Sequence, residues 1–425
     1  MQIQNETATA RRIIIAAALL VAITIGMRNT LGLFLSPINT ATGLGLASIS
    51  FAWAVSQLVW GISQPIAGEL AARIGVARVI ALGAILLAAS TALLPLATST
   101  PMLLFVFGAL SAAGTAVGGV PLLLGAVAQR VAPKWRGLTS GIVGAGSSAG
   151  QLVVAPAAQA AISSVGWIPA VFGLSVLALC ALPLASAFRA PKAGSPADAA
   201  QADAVAPNAV AAQPGLGEAL RNPVYWVLTG AYAVCGFHIA FLFAHMPNVI
   251  ALCGLPTGTS GIWLASAAAF NIVGSIASGI LTQRVPMALT LSVVYGLRAL
   301  GVAAFVLAPK TPTVFLVFSA WMGLTYFAVM PPTSGLIGRL VAARHFATLF
   351  GITMLVHQVG SFVGVWVGGI VVDAQGSYDM IWKIDIALAV FAALIHLVVR
   401  EREGTARIGL PGLAVAAPSL ALARL

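Results

Sequence analysis

The sequence predicts an all-α membrane protein with twelve transmembrane helices arranged as two pseudo-symmetric six-helix bundles. Three observations predict it. Of the 425 residues 60% are apolar and only 7% are charged, against about 25% charged in soluble domains, and the mean hydropathy is +1.02. The apolar residues fall in twelve runs, each long enough to cross a hydrocarbon layer of about 30 Å at about 1.5 Å per helical residue. The second half of the chain repeats landmarks of the first.

The runs cover 13–35, 47–71, 77–97, 101–129, 137–162, 167–188, 223–249, 259–283, 287–308, 312–338, 346–372 and 380–399. Arg11 and Arg12 precede the first run as in a signal peptide, but the run is too long and lacks a clean small-residue cleavage site, so it is expected to stay in the mature chain. Residues 189–222, an Ala/Pro-rich stretch with little to bury, read as a cytoplasmic linker between an N-terminal bundle (1–188) and a C-terminal bundle (223–400). Residues 401–425 read as a cytoplasmic tail. Its apolar part, Ile408 to Ala423, is short of a span, is broken by Pro411 and Pro418, and is expected on the membrane surface or disordered.

Placing the N-terminus inside puts 17 of the 21 Lys and Arg residues on the cytoplasmic side, Lys310 opposite, and Arg28, Arg298 and Lys383 within spans. Both termini are then cytoplasmic, in a bacterial inner membrane. The net charge of +11 is explained by topology, and no nucleic-acid partner is needed. Cys180, Cys235 and Cys253 have no metal or disulfide spacing and read as small buried apolar residues. No metal site, catalytic residue or cofactor is expected: there is no His/Glu metal motif, no nucleophile–histidine–acid set, and GAGSSAG lies inside an apolar helix rather than a phosphate loop.

At an offset of 210 residues Gly26 coincides with Gly236, Pro37 with Pro247, Pro121 with Pro331, Gly150 with Gly360 and Gly166 with Gly376. One position later, AGELAARI (67–74) matches SGILTQRV (278–285), pairing Arg73 with Arg284. GELAARIGVAR (68–78) looks like the loop motif Gly-x-Leu-Ala-Asp-Arg-x-Gly-x-Arg of the major facilitator superfamily, with Ala72 in place of the aspartate. The resemblance extends over nearly the whole chain and implies a gating or structural role for Gly68, Arg73 and Arg78, with Arg284 as the repeat counterpart. MRNTLGLFLSPI (27–38) and LFGITMLVHQVGSFVGVWVGGIVVDAQGSYD (349–379) resemble the bacterial branch related to monocarboxylate transporters and oxalate/formate antiporters. In the monocarboxylate group a basic residue in the outer half of helix 1 contacts the anion, and Arg28 matches it. Where that group carries Asp and Arg in helix 8, this chain has Asn271 and Ser275. Where the antiporters use a lysine in helix 11, His357 lies nearby.

Polar groups inside spans are the functional candidates, because lipid offers them no partners. Arg28 lies about 24 Å along helix 1 from Arg12, and a guanidinium there costs roughly 2.5–3.5 kcal/mol to insert. It reads as the cation that holds a carboxylate. His238, its counterpart at the 210 offset, is expected to face it across the interface between halves, with His357 as a further pH-sensitive donor. Tyr326, Asn271, Gln151 and Gln57 are candidate hydrogen-bonding residues, each with a helix-tying alternative. Arg298 reads as a structural pair on a peripheral helix, and His245 as interfacial. Trp53, Trp60, Trp321 and Trp366 read as packing or belt residues. All ten acids are placed in loops, tails or near span ends, so the counter-ion of the intramembrane cations is expected to be the substrate.

The expected function is secondary transport of a small organic anion, a monocarboxylate or related acid, by alternating access in a monomer. The expected partners are that anion and the lipid bilayer, with a coupled proton or counter-anion left open. The alternatives are export of neutral or amphipathic compounds, and a non-transporting membrane receptor.

Overall fold

Each apolar run folds as a helix because a bilayer supplies no partner for a backbone amide, and a helix satisfies all of them within one segment. The computed structural model describes residues 2–128, 136–189, 215–256, 258–282, 284–340, 343–402 and 405–408. Its long helical runs are α1 (Arg11–Thr42), α2 (Leu46–Ile74), α3 (Val76–Leu96) and α4 (Thr100–Val127), α5 (Arg136–Val165), then α6 (Trp167–Phe188), α7 (Pro223–Leu252), α8 (Gly258–Leu281), α9 (Met287–Leu307), α10 (Pro312–Gly338), α11 (Thr348–Gln375) and α12 (Asp379–Leu397). All but α5 are apolar enough over a long enough window to cross a membrane.

Local chemistry sets several ends. The Asn222 carboxamide accepts from the Val224 amide at 2.9 Å and Pro223 occupies the first position of α7. Thr311 and Pro312 do the same for α10, with Thr311 Oγ1 accepting from Val314 at 3.3 Å. Large apolar side chains such as Phe105, Val153, Val176, Ile276 and Val317 remain exposed on the outer faces of these helices, where lipid covers them.

The internal repeat has a packing cause. In the first half α1 crosses α5, and in the second α7 crosses α11, each time through glycines in backbone contact. A Cβ on Gly150 would fall 2.0 Å from the Ala22 carbonyl oxygen, and one on Gly360 would fall 2.0 Å from that of Ala233. The partners Gly26 and Gly236 are equally closed, against Gly150 and the His357 carbonyl. The coincidences of Gly26 with Gly236 and of Gly150 with Gly360 therefore mark the same helix crossing built twice.

The halves meet along α2 with α11 and α5 with α8. The contacts joining them run from mid-membrane to the face opposite the chain termini. There, Asp373 of α11 accepts from the Leu46 and Ala47 amides at 3.1 and 2.8 Å, Phe51 packs on Trp366 at 5.3 Å between ring centres, and Gly32 touches the Phe243 carbonyl. Toward the termini face, a Cβ on Gly68 of α2 or Gly351 of α11 would meet no atom within 4 Å. The described contacts thus close the halves against each other at the face opposite the termini.

The helix α12 stops at Leu397, and the chain then forms a short antiparallel hairpin, β1 (Val399–Arg402) with β2 (Thr405–Ile408). Glu401 ties the hairpin down by accepting from Arg339 at 2.7 Å and from the Ala288 amide at 2.7 Å. The start of the expected tail is therefore structured. Its remainder, 409–425, and linker residues 190–214 lie outside the described residues, as do Arg130 and Lys134.

Candidate functional site

Arg28 stands just before α1 tightens into a 3-10 turn, Leu31–Phe34. It is buried, with 7% of its surface accessible. Its guanidinium donates through Nη2 to the Gln57 side-chain carbonyl and lies 4.6 Å from the Trp60 ring centre. Both are neutral, and among the described residues no carboxylate forms an ion pair with Arg28. Gln57 and Trp60 occupy one face of α2, three residues apart, so a single helix supplies the acceptor and the aromatic face.

On the other side of the interface α10 is broken. Proline at 331 and 332 removes two amide donors, and the chain turns through Tyr326 into a 3-10 segment, Phe327–Val329. The freed groups are satisfied from neighbouring helices. Arg298 Nη2 donates to the Thr325 and Tyr326 carbonyls at 2.6 and 2.7 Å, Ser278 donates to Ala328 at 2.5 Å, and the Phe327 amide donates to Asn271 Oδ1 at 3.0 Å. The break presents Tyr326 to the first half, within electrostatic reach of Arg28 and close to Asn29. Tyr326 also lies within electrostatic reach of Arg298.

Several buried polar atoms around this layer have no hydrogen-bond partner among the described residues: Trp60 Nε1, His357 Nδ1, Gln358 Oε1, and Nε and Nη1 of Arg298. Gln358 packs on Gly61, next to Trp60. The His357 ring lies 4.7 Å from that of Tyr232 and within the field of Arg298. Buried polar groups are paired as a rule, so this concentration of unpaired donors and acceptors close to Arg28 and Arg298 leaves the layer able to take up a polar group. Among the described residues no three His, Cys, Asp or Glu side chains gather as metal ligands.

The structure places the sequence candidates unevenly. Arg28, Tyr326 and His357 belong to this layer. Gln151 and Asn271 are buried ties across the interface: Gln151 accepts from Asn29 at 2.9 Å and donates to the Leu264 carbonyl at 2.9 Å, while Asn271 donates to Ser148 at 2.8 Å. His238 does not face Arg28. Its Nδ1 is 2.7 Å from Asp385 Oδ2 and its Nε2 is 3.3 Å from Met322 Sδ, inside the second half. This corrects two expectations together. Asp385 is the seventh residue of α12 and fully buried, so the membrane interior does contain a carboxylate, and it is His238 that it binds.

His245 is not interfacial but fully buried. Tyr378 donates to its Nδ1 at 2.9 Å while accepting from Asn248 at 2.9 Å, and Nε2 donates to the Val365 carbonyl at 2.9 Å. Arg298 has the structural partners expected of it, though they are backbone carbonyls and leave two donors free. Trp60, read as packing, stands against the cation instead. Arg73 pairs with Glu69 at 2.9 Å on the exposed termini face. Gly68, Arg78 and Arg284 are exposed on the same side, far from the layer. Asn29, Gln358 and Asp385 were not singled out by sequence reasoning; Asp385 sits one and a half turns into an apolar run, which is the signal that could have found it.

Comparison with known proteins gives a consistent answer. The family model described as Major Facilitator Superfamily matches residues 17–365. The chain is 24% identical over 383 residues to the uncharacterized MFS-type transporter YcxA of Bacillus subtilis (strain 168), covering 87% of this chain and 90% of that protein. It is 26% identical over 338 residues to the oxalate:formate antiporter of Oxalobacter formigenes, covering 78% and 79%. Against monocarboxylate transporter 11 of Mus musculus it is 25% identical over 398 residues, covering 91% and 86%. Among solved structures, a bacterial homolog of the human lysosomal transporter Spinster, in an inward-facing and occupied conformation, superposes with a TM-score of 0.70 at 17% identity, covering 91% of this chain and 95% of that one. The last likeness concerns the fold alone.

Proposed function

We propose, from the premise that the chain belongs to the Major Facilitator Superfamily of multi-pass membrane transporters, that it moves a small organic anion, a monocarboxylate or related acid, by alternating access. The observation that carries this reading is Arg28: a buried guanidinium in the interface between halves, faced by an amide oxygen and an indole and paired with no carboxylate among the described residues. A charge held this way costs several kcal/mol, and an entering carboxylate offsets that cost with charge-assisted hydrogen bonds. Trp60, Tyr326 and His357 surround the anion, and Gln151 and Asn271 hold α1, α5, α8 and α10 in register around it. The names of two relatives, an oxalate:formate antiporter and a monocarboxylate transporter, point to the same substrate class.

Residues 1–188 and 223–400 rock about the interface, joined by the linker at 189–222. Gly68, Arg73, Arg78 and Arg284, exposed on the termini face, act at the gate on that side. The test is uptake of labelled formate, lactate and oxalate into proteoliposomes. Saturable uptake that Arg28→Ala abolishes supports the reading, and anion uptake unchanged in Arg28→Ala refutes it.

A further inference from the structure

Topology accounts for Arg11 and Arg12 as charges outside the bilayer, but not for where their side chains stand. They rim an open groove of about 540 Å³ on the outer surface of the first half, between the start of α1 and the end of α6. That volume lies within the range of about 300–1,000 Å³ of small-molecule sites. Helical spacing builds one wall: Arg11, Ile15 and Leu19 follow one another at four-residue steps, with Arg12 and Ala16 beside them. Pro183, Leu184 and Ser186 build the other. Pro183 has no amide to donate to the preceding turn, and α6 closes in a 3-10 segment, Ser186–Phe188. The Ser186 hydroxyl donates to the Pro183 carbonyl at 2.6 Å, so the two guanidinium groups are the charged donors of the groove.

The groove is graded from charge to hydrocarbon. Arg11 and Arg12 are exposed just before the apolar run that starts at Ile13, at the level of lipid headgroups, while Ile15 and Leu19, one and two turns deeper, are 48% and 47% exposed. Among the described side chains no carboxylate pairs with either arginine. A free inorganic anion would leave the apolar depth uncovered, and a zwitterionic lipid would leave the arginines unmatched. The same corner of the second half is covered by protein. At the 210 offset Arg221 stands for Arg11, but Tyr225 stands for Ile15 and Trp226 for Ala16. Trp226 Nε1 donates to the Leu220 carbonyl at 2.8 Å, and its ring lies 5.2 Å from that of Tyr225. The β1–β2 hairpin packs across α7, α9 and α12 there. Among the described residues the first-half corner has no such cover.

We propose that the groove between α1 and α6 binds an anionic phospholipid of the leaflet on the termini side, its phosphodiester held by Arg11 and Arg12 and its acyl chains laid along Ile15, Leu19 and Leu184. Guanidinium groups match phosphate oxygens with paired N–H donors, and basic pockets between spans lodge such headgroups. Each arginine facing an anionic lipid corresponds to about fivefold in affinity, so the pair favours an anionic over a zwitterionic headgroup by about 30-fold. The site lies outside the interface between halves and does not depend on what the protein transports. Its occupant bridges α1 and α6 and stabilises the first half by mass action.

The test uses the purified full-length protein in detergent, with phosphatidylglycerol, phosphatidylcholine and glycerol 3-phosphate as probes. Native mass spectrometry counts bound lipid, and the unfolding temperature without lipid checks that each variant is folded. The wild type is expected to retain one phosphatidylglycerol with an affinity about 30-fold above that for phosphatidylcholine, and to melt at a higher temperature when it is bound. Arg11→Gln with Arg12→Gln brings the two lipids to the same affinity. Leu19→Trp keeps both charges, fills the groove and lowers phosphatidylglycerol affinity at least about tenfold. Arg221→Gln with Lys383→Gln removes the same charge outside the groove and leaves binding unchanged. Equal binding of the two lipids by the wild type overturns the proposal, as does an equal loss in the Arg221/Lys383 variant or full binding in Leu19→Trp. Displacement of phosphatidylglycerol by equimolar glycerol 3-phosphate shows a free-anion site instead. Phosphatidylglycerol binding that appears only in Asp198→Asn with Asp203→Asn shows that the acidic linker fills the groove, and also overturns the proposal.

Discussion

Asp373 at the end of α11 offers a way to move the conformational equilibrium without touching the site. α2 begins after Gly45, which has no side chain to cap the first amides. The cap comes from the other half of the molecule: Asp373 accepts from Leu46 at 3.1 Å and Ala47 at 2.8 Å. A capping carboxylate contributes about 1–2 kcal/mol, and because this one reaches α2 only while the halves are closed at that face, its contribution belongs to the closed state rather than to folding. Asp373→Ala should therefore shift the balance toward opening at that face by about 5- to 30-fold, with little change in unfolding temperature. The reporter is Ser50→Cys, with Cys180 and Cys253 replaced by serine. Ser50 is fully buried against Gly369 in the closed face, so maleimide reacts with a cysteine there only when that face opens. The labelling rate should rise by the same factor in Asp373→Ala and by less in Asp373→Asn, which keeps an acceptor oxygen. An unchanged labelling rate in Asp373→Ala would refute the reasoning.

Three further outcomes are expected. Arg28→Ala should weaken anion binding by about 10- to 100-fold, the equivalent of one charge-assisted contact of roughly 1.5–3 kcal/mol; ligand-induced thermal stabilisation checks this. Gly360→Ala pushes a methyl group to 2.0 Å from the Ala233 carbonyl and should lower stability by about 1–3 kcal/mol, whereas Gly68→Ala, with open space around it, should not. Unfolding of the two variants side by side tests the helix-crossing account, and equal stabilities would contradict it. Tyr378→Phe removes a hydroxyl shared by His245 and Asn248 and should cost about 1–3 kcal/mol by leaving buried polar atoms unpaired; an unaltered melting temperature would show that those atoms find other partners.

What the sequence determined by itself was everything governed by the bilayer as solvent. Length and hydropathy dictate helices, because no other backbone arrangement of such runs survives in lipid. The offset of 210 revealed the duplicated crossing, since Gly26 and Gly150, like Gly236 and Gly360, are small for a local reason that survives in one dimension. Arg28 stood out for the same cause, a charge where charge is costly. Tertiary structure alone decided the partners. His238 occupies the repeat position of Arg28, yet Asp385 comes to it from 147 residues away, and no spacing rule relates two residues that meet only when α7 packs against α12. The acid looked peripheral because depth was judged along one helix; burial is set by the neighbours around it. Likewise Arg298 lies on a helix that reads as peripheral, and its guanidinium turns inward because a proline-broken α10 leaves carbonyls there to be met.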